Sequence, residues 1–386
     1  MKFGMFYELI ALRPHDEEAV RRAYWEALEQ IRFAEEMGFE YVWETEHHFT
    51  DKFSYSSAPE LFLTAAAART STIRLGHGVV LLTMNHPVRA AERGAVLDLL
   101  SNGRLEFGTG RGTSEAELGG FNIDPEISRD MWEEALGMIP KMWTQDSFEH
   151  TGRFWTVPPR NVLPKPVQKP HPPLWVSGVS PQTFEIAADK GLGVLSFSLS
   201  APGQSEGAVK MYRERIKNAE PVGAFANNQI AAFTVTLCLE DDDEAKRVGG
   251  FAAGAYKMGA QSLYGKWAKA DGAWRAWYGR DYFVEVETDK EEIDEMVDNA
   301  VVCIGDPERC IRVIKHWEEV GVDQIMCLMQ AGRIPHEKVM ESIRLFGERV
   351  IPYFKKRESG AGDWEPDLSE AEGAAARAEA PAATGN

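Results

Sequence analysis

The sequence predicts an α/β protein folded as a (β/α)8 TIM barrel, and three observations support this prediction. Short apolar segments with β-strand character alternate with helical patterns through residues 1–358. Continuous apolar strands separated by helices are typical of a parallel sheet that is covered on its outer face. About eight strand–helix units are present, and eight units fit a closed barrel better than an open doubly wound sheet.

Local signals place the elements along the chain. Gly38 follows an amphipathic segment at a position where helices commonly end. Pro87 suits the first turn of a helix that stops before Asn102 and Gly103. A hairpin is predicted around Phe148–Val157. The predicted strands are Lys2–Tyr7, Phe39–Trp43, Ile73–Leu82, Arg104–Thr109, Leu174–Ser177, Leu192–Phe197, Ile230–Leu239 and Asp323–Met329. The predicted helices are Glu18–Met37, Ala58–Thr70, Pro87–Leu100, Arg129–Trp143, Phe184–Asp189 and Pro335–Phe354.

Two segments depart from the barrel pattern. Residues 359–386 are acidic and rich in Ala, Gly and Pro, so they are predicted to be a disordered tail outside the barrel domain of residues 1–358. Residues 245–300, after the seventh strand, are predicted to be a long insertion that forms either a lid over an apolar pocket or a dimer surface. Its aromatic residues are Tyr264, Trp267, Trp274, Trp277, Tyr278, Tyr282 and Phe283.

Composition excludes several classes of protein. The formal net charge of −18 argues against nucleic acid or an anionic membrane as the main partner. Four cysteines without a CxxC pair exclude a disulfide scaffold and a zinc ribbon. The first residues lack the pattern of a signal peptide, and no apolar stretch approaches the roughly 18 residues that span a bilayer. A cytoplasmic protein is expected.

The ends of the predicted strands are where a barrel carries its functional residues. The densest titratable cluster follows the second strand and includes Glu46, His47 and His48. Adjacent side chains on an extended segment point to opposite sides, so at most one of the two histidines faces the barrel mouth. The other packs or caps, and hydrogen bonds within the loop are an equally good explanation for both.

Two further strand ends carry groups that suit an anion. Arg111 stands between glycines in the GTGRG segment after the fourth strand, and the fork of a guanidinium holds a phosphate with two hydrogen bonds. The GxGxG spacing differs from a dinucleotide-binding GxGxxG loop. Ser180 and Thr183 lie three residues apart at the start of a predicted helix, where free N–H groups and hydroxyls bind anions. A surface ion pair and an ordinary helix cap are the alternatives.

Several segments together resemble the bacterial luciferase-like flavin monooxygenases. The chain opens with MKFGMF and continues with GFEYVWETEHHF, HPVRAAERGAVLDLLSNGRLEFGTGRG and GDPERCIRVIKHWEEVGVDQIMC, in the order and spacing of that family. The resemblance covers residues 1–357. It implies a barrel that binds reduced FMN without a covalent bond and uses O2 as co-substrate.

The resemblance also implies roles for individual residues. His47 matches the catalytic histidine, and Arg111 matches the arginine that grips the flavin phosphate. Ser180 and Thr183 match a hydroxyl pair on the same phosphate. Gly78 and Val79 match a cis peptide bond under the flavin ring. The chain departs from the luciferase α subunit at Gly110, where luciferase has a reactive cysteine, at Val179, where luciferase has a glutamate, and in the aromatic insertion.

We therefore expect a non-luminescent monooxygenase that oxidises a hydrophobic substrate such as an aldehyde, an alkane or a terpene-like compound. A separate flavin reductase would supply FMNH2, and a homodimer or higher homo-oligomer is expected by resemblance. A deazaflavin F420-dependent oxidoreductase of the same fold is the main alternative. A non-catalytic flavin-binding protein and a metal-dependent hydrolase using His47, His77 or His86 with Glu46 are weaker ones, and no metal site is predicted.

Overall fold

The computed structural model describes residues 1–358 except 12–16, 51–52, 179, 198, 265–289 and 333. The predicted tail, 359–386, lies outside the described residues. The strands are β1 (Lys2–Tyr7), β2 (Tyr41–Glu44), β3 (Arg74–His77), β4 (Val80–Leu81), β5 (Leu105–Gly110), β6 (Phe148–Thr151), β7 (Thr156–Arg160), β8 (Leu174–Gly178), β9 (Gly193–Ser196), β10 (Ile230–Cys238), β11 (Cys303–Gly305) and β12 (Gln324–Leu328).

Eight parallel strands close into a barrel, which confirms the predicted fold. Their order is β10-β12-β1-β2-β3-β5-β8-β9, and β9 pairs with β10 to complete the circle. β4 extends the edge of β5, and β11 adds a short parallel strand to the end of β10. β6 and β7 form a separate antiparallel hairpin, as predicted. Because all eight barrel strands run the same way, their carboxyl ends share one mouth.

Helices surround the barrel between successive strands. They are α1 (Glu17–Glu36), α2 (Pro59–Ala67), α3 (Pro87–Leu100), α4 (Glu115–Gly120), α5 (Ser128–Thr144), α6 (Pro181–Asp189), α7 (Pro202–Arg215), α8 (Asp242–Tyr264), α9 (Lys290–Asp298), α10 (Pro307–Val320), α11 (His336–Leu345) and α12 (Ile351–Glu358). A 3₁₀ turn at Ile216–Asn218 follows α7, and a π-helical segment at Phe346–Val350 joins α11 to α12. The single closing helix predicted over Pro335–Phe354 is therefore divided.

The third predicted strand, Ile73–Leu82, is interrupted. The peptide bond between Gly78 and Val79 is cis, and it separates β3 from β4. The Gly78 N–H donates to the carbonyl oxygen of Glu44 on β2 (2.7 Å), so the interruption stays attached to the barrel wall.

The segment predicted as one insertion, 245–300, is helical over much of its length. Residues 245–264 belong to α8, which packs against β10 and β11, and residues 290–298 belong to α9. Both ends of the predicted insertion are therefore helical, and the insertion is not confirmed. The central aromatic part, 265–289, lies outside the described residues, so its role as a lid or an interface stays a prediction.

Side chains alternate between the interior of the barrel and the layer under the helices. Phe6 of β1 faces inward and packs on Phe233 of β10, with ring centroids 5.2 Å apart. Phe3, three residues earlier on the same strand, faces outward and packs on Phe346 and Phe354. Inside the barrel, Trp43 occupies the space where a side chain at position 76 would stand, which explains a glycine within that strand.

Candidate functional site

The predicted site residues follow four strands at the carboxyl end of the barrel. His47 follows β2, Gly78 and Val79 lie between β3 and β4, and Arg111 follows β5 directly. Ser180 and Thr183 stand at the start of α6, after β8. Since β2, β3, β5 and β8 are consecutive neighbours in the barrel wall, these groups occupy one continuous part of the mouth.

His47 lies between two buried carboxyl groups. Its Nδ1 is 3.0 Å from Oε1 of Glu117, and its Nε2 is 3.5 Å from Oε2 of Glu8. Burial alone lowers the pKa of His47, but the carboxylates of Glu117 and Glu8 outweigh burial and raise this pKa to about 9. The imidazole therefore carries a proton on both nitrogens at neutral pH.

His48 has a different set of partners. Its Nε2 lies 3.0 Å from Oε1 of Glu46, and its ring packs edge-on against Phe121. Glu46 also accepts the N–H of Leu81 (2.9 Å) and the side-chain amide of Asn85 (2.8 Å). His48 and Glu46 thus tie the end of β2 to β4 and to the approach to α3, which is a structural role.

Two acidic residues of this cluster were missed in the sequence. Glu8 follows β1, in a position that looks uninformative because its partners lie far along the chain. Glu117 lies on α4, whose first turn is capped by Ser114: the Ser114 hydroxyl accepts the N–H of Glu117 (3.4 Å). The pattern Ser-x-x-Glu is a known signature of a helix start. That signal was available to locate α4 and, with it, Glu117.

Arg111 lies within a group of hydrogen-bond donors that we call the candidate anion site. Its Nη1 donates to the Ser128 hydroxyl (2.9 Å), and among the described residues no carboxylate pairs with its guanidinium. Burial lowers the pKa of Arg111, and the nearby charge of Arg129 lowers it further. Arg129, which the sequence analysis did not single out, donates a hydrogen bond to Oε1 of Gln182 on α6 (3.4 Å). Two guanidinium groups close together without a carboxylate between them favour a bound anion.

The start of α6 completes this anion site. Ser180 caps the helix, and its Oγ lies 3.1 Å from Oγ1 of Thr183 and 3.4 Å from the Thr183 N–H. Helix N-termini carry a partial positive charge and unpaired N–H groups. The donors are the two hydroxyls, the N-terminus of α6 and the two arginine side chains. Together they would suit a phosphate dianion.

Neighbouring side chains crowd the position of Gly110. A Cβ at Gly110 would lie 2.6 Å from Cγ2 of Val79 and 3.1 Å from Oγ of Ser177. No side chain fits there without movement of Val79. A cysteine at this position, where the chain departs from the luciferase resemblance, would meet the same contacts.

Aromatic rings line the barrel interior beneath His47. Phe6 packs on Phe197 and Phe233, and Phe233 packs on Tyr256, each pair with centroids 5.2 Å apart. Tyr256 in turn contacts Phe53, which packs edge-on against the His47 ring at 5.4 Å. The mouth thus joins an apolar aromatic wall to a small set of buried polar groups, a combination typical of sites for organic ligands.

The three histidines considered as metal ligands do not converge. His77 lies under the helices against Phe107, and burial lowers its pKa to about 3. His86 caps α3 and accepts the N–H of Val88 (3.3 Å). Within the described residues, no group of three or more His, Cys, Asp or Glu side chains is arranged to hold a metal ion. No helix in the same part of the chain is long and apolar enough to cross a membrane.

Fold and mouth together define an α/β barrel whose mouth carries a cluster of arginine, serine and threonine donors and a buried histidine. Residues 1–324 match the family model described as luciferase-like monooxygenase. The chain belongs to this family, which confirms the resemblance drawn from its motifs.

Relatives with established names support the family assignment. The chain is 28% identical to 4-hydroxyprotoasukamycin monooxygenase of Streptomyces nodosus subsp. asukaensis, over 98% of this chain and 99% of the relative. It is 32% identical to the oxygenase component of the flavin-dependent trigonelline monooxygenase of Acinetobacter baylyi, over 50% of this chain and 53% of the relative. The crystal structure of the monooxygenase RslO1 from Streptomyces bottropensis superposes with a TM-score of 0.78 at 28% identity, covering 92% of this chain and all of that one.

Two less similar structures share the fold alone. One is the oxygenating constituent of 3,6-diketocamphane monooxygenase of Pseudomonas putida in complex with FMN (TM-score 0.73, 21% identity, 91% of this chain and 98% of that chain). The other is the coenzyme F420-dependent tetrahydromethanopterin reductase of Methanopyrus kandleri (TM-score 0.66, 22% identity, 92% of this chain and 99% of that chain).

Proposed function

We propose that this protein is a monooxygenase that binds reduced FMN and uses O2 to oxidise a hydrophobic organic substrate. The observation that carries the proposal is the placement of the anion site and the buried His47 on one rim of the barrel, with the cis bond at Gly78–Val79 between them along the wall. This arrangement offers separate places for the phosphate of a flavin nucleotide and for a proton-transfer group. The names of two relatives, both monooxygenases, support it.

The residues that would hold FMN are those already described. Arg111, Arg129, Ser180 and Thr183 supply donors for its phosphate, and Gly78 with Val79 would lie under its ring system. When bound, reduced FMN supplies the electrons that activate O2. The remaining work falls to the chain: it positions the substrate, excludes water and controls protons.

His47 is the group best placed to control protons. Because Nδ1 lies against Glu117, the proton that His47 would transfer to a basic atom at the mouth and take back is the one on Nε2. An imidazole held between carboxylates is an effective general acid and base because it changes charge within a few pH units of neutrality. His47 is therefore the proposed catalytic residue.

The proposal also covers the substrate, the source of reduced flavin and the oligomeric state. The aromatic wall of Phe6, Phe197, Phe233 and Tyr256 favours an apolar substrate such as an aldehyde, alkane or terpene-like compound. The relative described as an oxygenase component supports a separate reductase that delivers FMNH2. A cytoplasmic homodimer or higher homo-oligomer completes the proposal. F420-dependent hydride transfer is the alternative, because a phosphate site at the same rim suits either cofactor.

A labelling experiment tests this function. The protein is mixed with FMNH2, 18O2 and each of a panel of apolar aldehydes, alkanes and terpene ketones, and the products are analysed by mass spectrometry. We expect one 18O atom in the organic product. The His47→Ala variant should lose about 10²–10⁴-fold in product formation while binding FMN as well as wild type, since that is the usual contribution of a general acid or base. Near-wild-type product from a folded, FMN-binding His47→Ala variant would remove His47 from the mechanism.

A further inference from the structure

Glu8 is a buried acid at the mouth whose carboxyl oxygens have unequal surroundings. The side chain is only 3% exposed. Oε1 accepts a hydrogen bond from the Tyr256 hydroxyl (2.9 Å). Oε2 has no hydrogen-bond partner among the described residues and lies 3.5 Å from Nε2 of His47. A buried carboxyl oxygen left without a donor is costly, so such an atom in a native protein calls for a functional explanation.

Glu117, the other carboxyl group beside His47, differs from Glu8 because its Oε1 already has two hydrogen-bond contacts. Its Oε1 accepts both from Nδ1 of His47 (3.0 Å) and from the backbone N–H of His48 (2.8 Å). Because both contacts meet the same oxygen, Glu117 orients the His47 ring and holds its Nδ1 side in place. The other ring nitrogen of His47, Nε2, faces Glu8 and is the atom through which a proton could pass between the two residues.

Charge balance favours one more proton in this cluster. With Glu8 and Glu117 ionised and His47 doubly protonated, the buried group carries a net charge of −1. A proton on Glu8 makes it neutral, and burial disfavours uncompensated charge. Among the described residues, the titratable groups that interact with this pair are Glu44 and Glu46 of the β2 end, Glu117 of α4 and Tyr256 of α8.

We propose that Glu8 is a second proton-holding residue of the site, which acts through His47 by passing a proton from its Oε2 to the His47 Nε2. When His47 gives its Nε2 proton to a basic atom at the mouth, the carboxylic acid of Glu8 restores that proton and becomes a carboxylate. The Tyr256 hydroxyl then stabilises the carboxylate by donating to Oε1. No proton is gained or lost in the transfer. This inference rests on the proposed function for its purpose, but the proton-sharing pair is a property of the protein without cofactor.

The direction of the pKa shifts agrees with this geometry. Burial raises the pKa of Glu8 to about 7, against the opposing effects of His47 and of the Tyr256 hydroxyl. Glu8 therefore holds a proton in a substantial fraction of molecules at neutral pH, which an exposed glutamate does not.

The test is the titration of His47 in the protein without cofactor, followed by NMR with labelled histidine. The signal is assigned by its loss in His47→Gln. We expect the Glu8→Gln variant to lower the pKa of His47 by about one pH unit or more, a tenfold or larger loss of proton affinity, because one of its two carboxylates is gone. Glu46→Gln, which removes the same charge from the partner of His48, is the matched control: Glu46 raises the pKa of His47 less than Glu8 does, so its loss should lower this pKa by less than the loss of Glu8.

A second readout separates proton sharing from a merely structural role. In wild type, turnover with FMNH2 should fall as the pH rises through about 7, where Glu8 loses its proton; in Glu8→Gln this fall should disappear while FMN affinity is kept. If Glu8→Gln does not fold, Tyr256→Phe serves instead: loss of the hydroxyl should move the same fall to higher pH. The proposal would be overturned if the pKa of His47 were the same in Glu8→Gln as in wild type. It would also be overturned if turnover in either variant fell with pH as it does in wild type. Failure of FMN to bind would count against the proposed function only, because the NMR titration does not need it.

Discussion

Replacement of Arg111 by alanine tests the phosphate site in the simplest way. Arg111 is half-buried, donates to the Ser128 hydroxyl and has no carboxylate partner among the described residues. Its removal therefore breaks one side-chain hydrogen bond within the protein and, among the described residues, no ion pair. The main loss should fall on whatever anion the guanidinium binds.

The expected magnitude follows from the number of charged donors. A hydrogen bond to a charged group contributes about 1.5–3 kcal/mol, which corresponds to roughly ten- to a hundredfold in affinity for FMN. Arg129 remains nearby, and Ser180 and Thr183 remain at the start of α6, so FMN binding should be weakened rather than abolished. Riboflavin lacks the phosphate, so its affinity should be the same in Arg111→Ala as in wild type.

The assay is calorimetric titration of each protein with FMN and with riboflavin. Arg153→Ala is the matched control, because Arg153 is exposed and pairs with Asp130 on the protein surface (2.9 Å). Arg111→Lys adds a second comparison: it keeps the charge but loses the fork, so its FMN affinity should lie between wild type and Arg111→Ala. Equal FMN affinity in wild type and Arg111→Ala would refute the assignment of this site to the flavin phosphate.

Three other outcomes follow from the same structure. His48→Ala should lower the free energy of unfolding, measured in urea, more than it lowers turnover; the reverse would contradict its structural role beside Glu46. Shortening the aromatic segment 265–289 should raise the H2O2 released per FMNH2 consumed with little change in FMN affinity if the segment is a lid; a split oligomer with unchanged H2O2 release would make it an interface. The pKa of His47 is raised from 6.5 to about 9 by folding, so the stability it provides is complete below about pH 6.5 and is lost as the pH rises through about 9, by at most ~1.4 kcal/mol per pH unit. Urea unfolding across this range should show a smaller slope in His47→Gln than in wild type, and equal slopes would contradict the raised pKa.

The barrel could be predicted from the sequence because its signals are local. The first strand, Lys2–Tyr7, and the helix Pro87–Leu100 have the predicted bounds, since an apolar run and a proline at a helix start depend on few neighbours. The strand over Ile73–Leu82 was predicted as continuous because the run is mostly apolar, whereas the cis bond that interrupts it at Gly78–Val79 was indicated only by the family resemblance. The three-residue strand β11 also lacks a recognisable sequence pattern, because it is defined by its pairing with β10.

The candidate site was predictable only in part, for the same reason. Arg111, Ser180 and Thr183 stand out through glycines, a helix start and the family resemblance. Glu8 and Tyr256 are separated by most of the chain and meet only when the barrel closes, so no spacing in the sequence reveals the pair. Arg129 could not be predicted as part of the site because it lies near Arg111 and Gln182 only in the folded chain.

The most direct test of the central claim is titration of the protein without cofactor with FMNH2, FMN and F420, followed by fluorescence or calorimetry. The site described here combines a phosphate-binding rim, the cis bond at Gly78–Val79 and a buried His47, and we propose it for reduced FMN. The account predicts saturable binding of FMNH2 and weaker or no binding of F420. Saturable binding of F420 without binding of FMNH2 would contradict the account and make the protein an F420-dependent oxidoreductase of the same fold.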